Sequence, residues 1–258
     1  MQDLTVTIIQ TVLKWHDAAA NRAHFDGVIA GIEGPTDLII LPEMFTTGFT
    51  MDTTAHAETM NGESVAWMRL VAKDFRTTLC GSLIIEEQGR YYNRLVWMAP
   101  DGECKSYDKR HLFRMAGEHE HFATGTEKPI FALNGWRVLP LVCYDLRFPV
   151  WSRGVNEFDL MIVIANWPAA RRSAWQVLLP ARAVENQCYV AGVNRIGTDG
   201  NDIRYTGDSV VVDFHGKNLL SCADADSTET ISLSGAALER YRQKFPAYLD
   251  ADTFTIKK

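Results

Sequence analysis

The sequence lacks several features that would each indicate a particular class of protein. No apolar stretch reaches the roughly 18 residues that a membrane-spanning helix needs, so we expect no membrane partner. No basic region followed by an apolar segment precedes the first strand pattern, so no secretory signal is predicted. The net charge is −6 and no basic stripe is interleaved with aromatic residues, so nucleic acid is not an expected partner.

Paired cysteines and internal boundaries are also missing. The five cysteines are widely spread and none forms a Cys-x-x-Cys pair, which argues against zinc knuckles and redox pairs. Reduced thiols in a cytoplasmic protein are the simplest explanation. No repeat, low-complexity tract or Ser/Gly-rich linker divides the chain, so we expect a single domain over residues 1–258.

Strand and helix patterns are interspersed along the whole chain, which indicates the α/β class. Two sheets packed face to face, with helices outside both, fit this order. The predicted helices cover residues 17–31 and 65–75, then 175–185, with a last one capped by Ser234. A loop is expected over 196–202. The predicted strands cover 4–10, 38–41, 79–86, 92–99, 104–108, 130–133, 136–143, 160–165, 189–194, 209–213 and 219–223.

Three of these strands end just before a reactive side chain. Glu43 follows the strand at 38–41, Lys109 follows the strand at 104–108, and Cys143 ends an apolar run. Each residue alone has an ordinary interpretation, as a core cysteine or a solvated loop charge. Strand ends at one edge of an α/β sheet converge on one crevice, however, so the three side chains are expected to meet.

Together, a carboxylate, an ammonium and a thiol can carry out acyl transfer. Glu43 can accept the thiol proton as the sulfur of Cys143 attacks a carbonyl or nitrile carbon. The ammonium of Lys109 and the backbone N–H of Tyr144 are candidate donors to the developing oxyanion. Neither a metal nor an organic cofactor is required by this chemistry, and we predict none.

The segments around these residues resemble those of the nitrilase (carbon–nitrogen hydrolase) superfamily. That family carries a Glu-Lys-Cys triad, in the order found here, on a four-layer αββα sandwich. The resemblance covers nearly the whole chain and implies both this fold and this triad. The matching motifs are Leu41-Pro-Glu-Met-Phe-Thr-Thr-Gly-Phe49, Tyr107-Asp-Lys-Arg-His-Leu-Phe113, Cys143-Tyr-Asp-Leu-Arg-Phe-Pro149, Asn166-Trp-Pro168, Ala181-Arg-Ala-Val-Glu-Asn186 and Gly207-Asp-Ser209.

The residues after Cys143 resemble the omega-amidase branch of that superfamily. They lack the Trp-Glu that usually follows the cysteine of true nitrilases and the Asn-Asp-Arg-Arg of many carbamoylases. The resemblance implies hydrolysis of the terminal amide of 2-oxo dicarboxylate monoamides, such as 2-oxoglutaramate and 2-oxosuccinamate, through a cysteine thioester. It also implies a part in methionine salvage and a homodimer. Another amidase or nitrilase of the superfamily, with a different small substrate, is the alternative.

The family has a second glutamate between the lysine and the cysteine, seven residues before a glycine. Glu118 stands seven residues before Gly125 and is therefore the candidate, in preference to Glu120. Its implied role is to hydrogen-bond Lys109 and to position the substrate and the proton transfers. A metal pair formed by His119 and His121 is the competing interpretation, but no third and fourth ligand stand at a recognisable spacing.

A ketoacid substrate carries a carboxylate, which a bidentate arginine suits. The candidates are Arg114, Arg171 and Arg172, of which we name Arg114 as the expected substrate-binding residue; Phe49, Tyr144 and Trp167 are the expected pocket walls. We expect Asp145 and Arg147 to pair locally and to hold the turn behind the nucleophile.

Two different kinds of function compete with this prediction. A Cys-His-acid amidotransferase would use His111 or His121 as its base, but its tight nucleophile turn needs small residues around the cysteine. Val142 and Tyr144 flank Cys143 and no glycine lies within two positions, which disfavours that turn. A dimeric scaffold or regulator would leave the thiol as a passive core residue, and would need neither the acid nor the lysine.

Overall fold

The fold, described here for residues 1–256 of a computed structural model, alternates strands with helices in four layers. Within those residues the strands form two six-stranded sheets and a two-stranded ribbon. The strands are β1 Leu4–Gln10, β2 Leu38–Ile40, β3 Thr78–Glu87, β4 Arg90–Met98, β5 Cys104–Asp108, β6 Phe131–Leu133, β7 Trp136–Val142, β8 Leu160–Ala165, β9 Tyr189–Asn194, β10 Ile196–Thr198, β11 Arg204–Thr206, β12 Val210–Val212, β13 Asn218–Ser221 and β14 Ser227–Leu233.

The helices are α1 Ala18–Ala30, α2 Thr53–His56, α3 Glu63–Phe75, α4 Glu118–His121, α5 Pro149–Ser152, α6 Arg172–Asn186 and α7 Gly235–Lys244. The longer helices, α1, α3, α6 and α7, cover the outer faces of the sheets, and the short helices lie in the connections. The predicted caps are confirmed, since the side chain of Asp17 accepts from the N–H of Ala20 at 2.9 Å and that of Ser234 from the N–H of Ala237 at 3.4 Å. Such caps satisfy N–H groups that a helix start leaves without a partner.

Side chains that alternate between the two faces of a strand divide the hydrophobic core into layers. Leu38 and Ile40 of β2 pack between the two sheets, whereas Ile39 packs with α1 and α3. Successive side chains of a strand point to opposite faces, so a fully apolar strand such as β2 serves two layers at once. Side chains of α6 and α7 complete the fourth layer on the second sheet. The predicted αββα architecture is confirmed.

Strand directions bring the ends of four strands to one region. The first sheet has the order β14-β1-β2-β3-β4-β5 and the second β13-β12-β9-β8-β7-β6. β2 and β5 run in the same direction, because β2 is parallel to β3 and the two antiparallel pairings β3–β4 and β4–β5 restore the direction. β7 and β8 are parallel in the second sheet. The residues that follow β2, β5, β7 and β8 are therefore delivered to matching edges.

The secondary structure differs from the sequence prediction at several places, among them the short helices α2 and α4, which were not predicted. β14 was not predicted, because this edge strand pairs with β1 on one side only and most of its side chains are exposed, which leaves no apolar alternation to read. The expected loop at 196–202 begins with β10, which pairs with β11. Among the described residues, none of the helices combines the length and the apolarity that a bilayer span needs.

Candidate active site

Three buried charged side chains form a compact cluster next to Cys143. The Nζ atom of Lys109 lies 3.0 Å from Oε1 of Glu43 and 2.9 Å from Oε1 of Glu118. All three side chains are 0% exposed. The structure thus brings together the carboxylate, the ammonium and the second glutamate that the sequence selected, at the end of one cavity.

Glu43 follows β2 after a short Leu-Pro step and is held by hydrogen bonds at both carboxylate oxygens. Oε1 accepts from Nδ2 of Asn93 at 2.8 Å and from Lys109, and Oε2 accepts from the backbone N–H of Asn166 at 2.7 Å. The side chain of Asn166 also donates to the backbone carbonyl of Glu43 at 2.6 Å. A carboxylate with this many fixed donors is preorganised, and charge-assisted hydrogen bonds of this kind are the strong ones.

Lys109 stays charged although it is completely buried. Burial alone would lower the pKa of its ammonium, but the carboxylates of Glu118 and Glu43 outweigh burial and hold that pKa above its ordinary range. The backbone carbonyl of Lys109 accepts from the N–H of Gly125 at 3.0 Å. Gly125 has no room for a side chain, because a Cβ atom would lie 2.0 Å from the backbone oxygen of Asp108. This contact explains why a glycine closes the loop.

Glu118 begins α4 and completes the cluster. Its Oε2 accepts from the backbone N–H of Phe113 at 2.5 Å, and both of its oxygens accept from Lys109. Burial raises the pKa of this carboxyl, Lys109 opposes the rise, and Glu43 adds to it. Glu120, by contrast, is exposed. Within residues 1–256 no group of three or more His, Cys, Asp or Glu side chains is arranged to hold a metal ion.

Cys143 occupies a strained turn between β7 and a 3-10 helix at Cys143–Arg147. Its φ is +46°, in the left-handed region that residues with a Cβ seldom occupy. The expectation that the absence of small neighbours disfavours a tight turn here is therefore wrong. The turn is held instead by Asp145, whose Oδ2 accepts from the N–H of Val142 at 3.1 Å and from the hydroxyl of Tyr107 at 2.7 Å.

The predicted local pair of Asp145 and Arg147 is also wrong. The other carboxylate oxygen of Asp145 contacts the backbone N–H of His111 at 2.9 Å and its Nδ1 at 2.8 Å. Arg147 lies over the ring of Trp167, 5.0 Å from its centroid. Asp145 does hold the turn, but it does so through β5 and the loop after it. The ring of His111 stacks on Phe148 and His111 does not line the cavity of Cys143, while His121 is exposed.

The thiol of Cys143 is protonated in the resting site. Burial raises its pKa well above the ordinary value, and the negative charge of Glu43 raises it further, against the opposing effect of Lys109. The sulfur also makes a weak contact with the backbone oxygen of Asn166 at 3.9 Å. Nucleophilic attack from such a thiol needs a base that removes the proton during the reaction, and Glu43 is the carboxylate whose charge acts most strongly on this thiol.

A cavity of about 380 Å³ lies over Cys143 and Lys109. The three residues that the sequence suggested as walls, Phe49, Tyr144 and Trp167, all line it. The aromatic face of Phe49 lies 5.2 Å from Nζ of Lys109. A mainly apolar pocket with a few convergent polar groups is the usual form of a small-molecule site.

The expected arginine is not at this cavity. Arg114 lines a neighbouring cavity with His119 and Thr124, and its side chain is exposed, because the 3-10 turn that carries it faces outward. Arg147 and Arg171 line the cavity of Cys143 instead. Arg171 stacks on Phe113, and no ion pair involves Arg147 or Arg171 among residues 1–256. Arg172, the third candidate, is paired with Asp208 at 2.7 Å.

The contacts of two residues of the site could not be predicted from the sequence. Asn93 lies in the middle of β4, where nothing in the local pattern separates it from an ordinary strand residue. Asn166 belongs to a motif that the resemblance covered, but its contacts with Glu43 exist only because the sheet that contains β8 packs on the sheet that contains β2.

The fold is that of a carbon–nitrogen hydrolase. The sequence pattern of the family described as Carbon-nitrogen hydrolase matches residues 5–243, so the chain belongs to that family. Omega-amidase YafV of Escherichia coli (strain K12) is 48% identical over 258 residues, which cover 99% of this chain and 100% of that protein. A 2-oxoglutaramate amidase of Bacillus subtilis is 28% identical, with 95% and 96% covered.

The structural comparison agrees. A CN-hydrolase superfamily protein of Xanthomonas campestris, whose crystal structure carries an arsenic adduct in its active site, superposes with a TM-score of 0.97. It is 43% identical, and the superposition covers 100% of both chains. The family and the nitrilase-type sandwich that the sequence motifs indicated are confirmed.

Proposed function

We propose that this protein hydrolyses the terminal amide of 2-oxo dicarboxylate monoamides, with 2-oxoglutaramate and 2-oxosuccinamate as the expected substrates. The observation that carries the proposal is the buried Glu43–Lys109–Glu118 cluster, whose Lys109 lines the same cavity as Cys143. The choice of substrate is supported by the names of the relatives, an omega-amidase and a 2-oxoglutaramate amidase.

The first half of the reaction forms a thioester. Glu43 takes the thiol proton while the sulfur of Cys143 bonds to the amide carbon, and the carbonyl electron pair moves to oxygen. Nζ of Lys109 and the N–H of Tyr144 stabilise the resulting oxyanion. When the carbonyl re-forms, the carbon–nitrogen bond breaks, and the proton held by Glu43 is transferred to the departing nitrogen, which leaves as ammonia.

The second half regenerates the enzyme. Glu43, again ionised, removes a proton from a water molecule whose oxygen bonds to the thioester carbon. The same oxyanion donors act a second time, and collapse expels the sulfur, which recovers a proton from Glu43. The products are the dicarboxylate and the free thiol. Glu118 holds Lys109 in place through both halves.

The substrate class is supported by the charges of the cavity. Arg147 and Arg171 present guanidinium groups whose positive charges are not matched by carboxylates of the described residues. A carboxylate at the far end of the substrate supplies that match, and binding there orients the amide carbon toward Cys143. Glutamine carries an additional α-ammonium, which this cationic wall repels.

Ammonia release from a panel of amides tests the proposal. Wild-type protein is expected to act on 2-oxoglutaramate and 2-oxosuccinamate with higher kcat/KM than on glutamine or on neutral aliphatic amides. Cys143→Ala is expected to release no ammonia while keeping its fold. Better turnover of neutral amides would contradict the substrate class, and an active Cys143→Ala protein would contradict the mechanism.

We propose in addition that the chain acts as a single-domain homodimer in the cytoplasm, and removes ketoacid amides in methionine salvage. The dimer is supported by apolar side chains that α6 and the C-terminal segment leave exposed, among them Val177 at 66% and Leu249 at 72%. The cytoplasm is supported by five cysteines that are all unpaired. Sedimentation of wild-type and Val177→Glu proteins tests the dimer.

A further inference from the structure

Asn93 connects the two carboxylates of the cluster through one amide group. The residue is 0% exposed, and its Nδ2 donates to Oε1 of Glu43 at 2.8 Å and to Oε1 of Glu118 at 3.3 Å. Its backbone oxygen accepts from the N–H of Lys109 at 3.0 Å. Asn93 is therefore in direct contact with all three charged members of the cluster.

The cluster holds more negative than positive charge, so its carboxylates need further hydrogen-bond donors. Two buried carboxylates face a single ammonium, and burial penalises the charged form of each group. Backbone N–H groups assist each carboxylate separately, from Asn166 and from Phe113. Within residues 1–256, Asn93 and Lys109 are the two side chains that donate to both carboxylates.

The orientation of the amide is determined by these neighbours. If the amide were turned over, Oδ1 would face two carboxylate oxygens and both hydrogen bonds would be replaced by repulsion. In the observed orientation Oδ1 is buried and has no hydrogen-bond partner among the described residues. Donation to both carboxylates therefore determines which way the amide faces.

We propose that Asn93 is a positioning residue that keeps Glu43 and Glu118 ionised side by side, and that it thereby sets the lower pH limit at which Cys143 is activated. Hydrogen bonds to a carboxylate favour its ionised form, and a base must be ionised to accept the thiol proton. The proposal rests on the proposed role of Glu43 as that base. The titratable groups that face Glu43 are Lys109, Glu118, Cys143 and Tyr205.

The test follows the alkylation of Cys143 by iodoacetamide as a function of pH, with the labelled peptide quantified by mass spectrometry. Asn93→Leu has a similar shape and no donor, whereas Asn93→Asp has the same shape and adds a third carboxylate. For Asn93→Leu the acid limb is expected to move to higher pH, so that labelling at a pH on that limb slows on the order of tenfold. Asn93→Asp is expected to move the acid limb of the labelling profile still further toward higher pH.

Asn186→Leu is the matched control. This buried asparagine of α6 donates to the carbonyl of Arg182 at 2.9 Å and accepts from the N–H of Gly154 at 2.9 Å, outside the cluster. Its loss is expected to lower Tm and to leave the pH profile of labelling unchanged. If the Asn186→Leu profile shifts as much as that of Asn93→Leu, the effect comes from general destabilisation and the proposal is overturned.

The remaining outcomes of the labelling test separate the role of Asn93 from the proposed function. Coincident pH profiles for wild type, Asn93→Leu and Asn93→Asp would overturn the proposal, and if Asn93→Leu does not fold, the isosteric Asn93→Asp alone decides it. Labelling uses no amide substrate, so its result stands even if no 2-oxo monoamide is hydrolysed. Failure of ammonia release with an intact, Asn93-dependent labelling profile would contradict the proposed function alone.

Discussion

Nζ of Lys109 lies 3.0 Å from Oε1 of Glu43, and both side chains are completely shielded from solvent. Breaking a buried ion pair by removing one partner costs about 3–5 kcal/mol, because the remaining charge stays buried without compensation. In the proposed mechanism the same pair joins an oxyanion donor to a general base, so its members are expected to contribute both to stability and to chemistry. Substitutions here therefore need a stability measurement beside every rate.

Lys109→Met is expected to lower kcat by about 100- to 1000-fold, because it removes one of the donors to the oxyanion. It is also expected to lower Tm, because Glu43 and Glu118 then share a buried site without a cation. Steady-state ammonia release and thermal unfolding check the two effects. A Lys109→Met protein that keeps more than half of the wild-type kcat would refute the assigned role.

Glu43→Gln is expected to lower kcat by roughly 100- to 10,000-fold, since an amide cannot accept the thiol proton. The Glu43→Gln/Lys109→Met double variant is expected to lose much less than the product of the single losses, because residues of one catalytic unit are not additive. The four proteins of this double-mutant cycle are compared in one assay at saturating substrate. Full multiplication of the losses would show that the two residues act independently.

Arg147→Met and Arg171→Met are each expected to lower kcat/KM for 2-oxoglutaramate by about 10- to 100-fold, the loss of a charge-assisted hydrogen bond. Turnover of a neutral amide of similar length is expected to change far less. Arg114→Met is the matched control, because Arg114 lines the neighbouring cavity and its side chain is exposed. An equal loss with neutral and anionic substrates would contradict the assignment of these arginines to the substrate carboxylate.

Asp159 provides a test of pH-dependent stability away from the active site. Burial raises the pKa of its carboxyl, but hydrogen bonds from Arg137 and Arg242, at 2.8 and 2.6 Å, bring it below its usual value. A depressed pKa adds stability that is present above the unfolded value, about 3.9, and is lost as the pH falls through the folded value. Acidification below about pH 4 is therefore expected to remove the contribution of Asp159 to stability.

Asp159→Asn checks this linkage. The variant is expected to lose roughly 3 kcal/mol of unfolding free energy at neutral pH, because two arginines lose their partner. Its stability is expected to fall less steeply than that of wild type between pH 5 and pH 2, a range estimated roughly from the reference pKa. Urea unfolding at several pH values measures both quantities. If the stabilities of the two proteins fall in parallel with pH, Asp159 is not the source of the loss of stability in acid.

The sequence by itself determined the class of fold and the meeting of Glu43, Lys109 and Cys143. Hydrophobic periodicity is local, so β2, β5 and β7 could be recognised from their own residues. Strand ends at one edge of an α/β sheet converge on one crevice, so reactive residues placed directly after such strands were expected to meet. The order of the motifs along the chain then indicated the protein family.

Only the tertiary structure decided which side chains support that chemistry. Asn93 reaches Glu43 because β4 lies next to β3 and β5 in the sheet, and sequence distance carries no information about such a contact. The choice of Arg147 and Arg171 over Arg114 depends on the direction of a 3-10 turn and on the stacking of guanidinium groups over Trp167 and Phe113. The left-handed backbone of Cys143 likewise follows from the contacts of Asp145 with Tyr107 and Val142. Long-range contacts outweigh local preference at these positions, and they exist only after the sheets have packed.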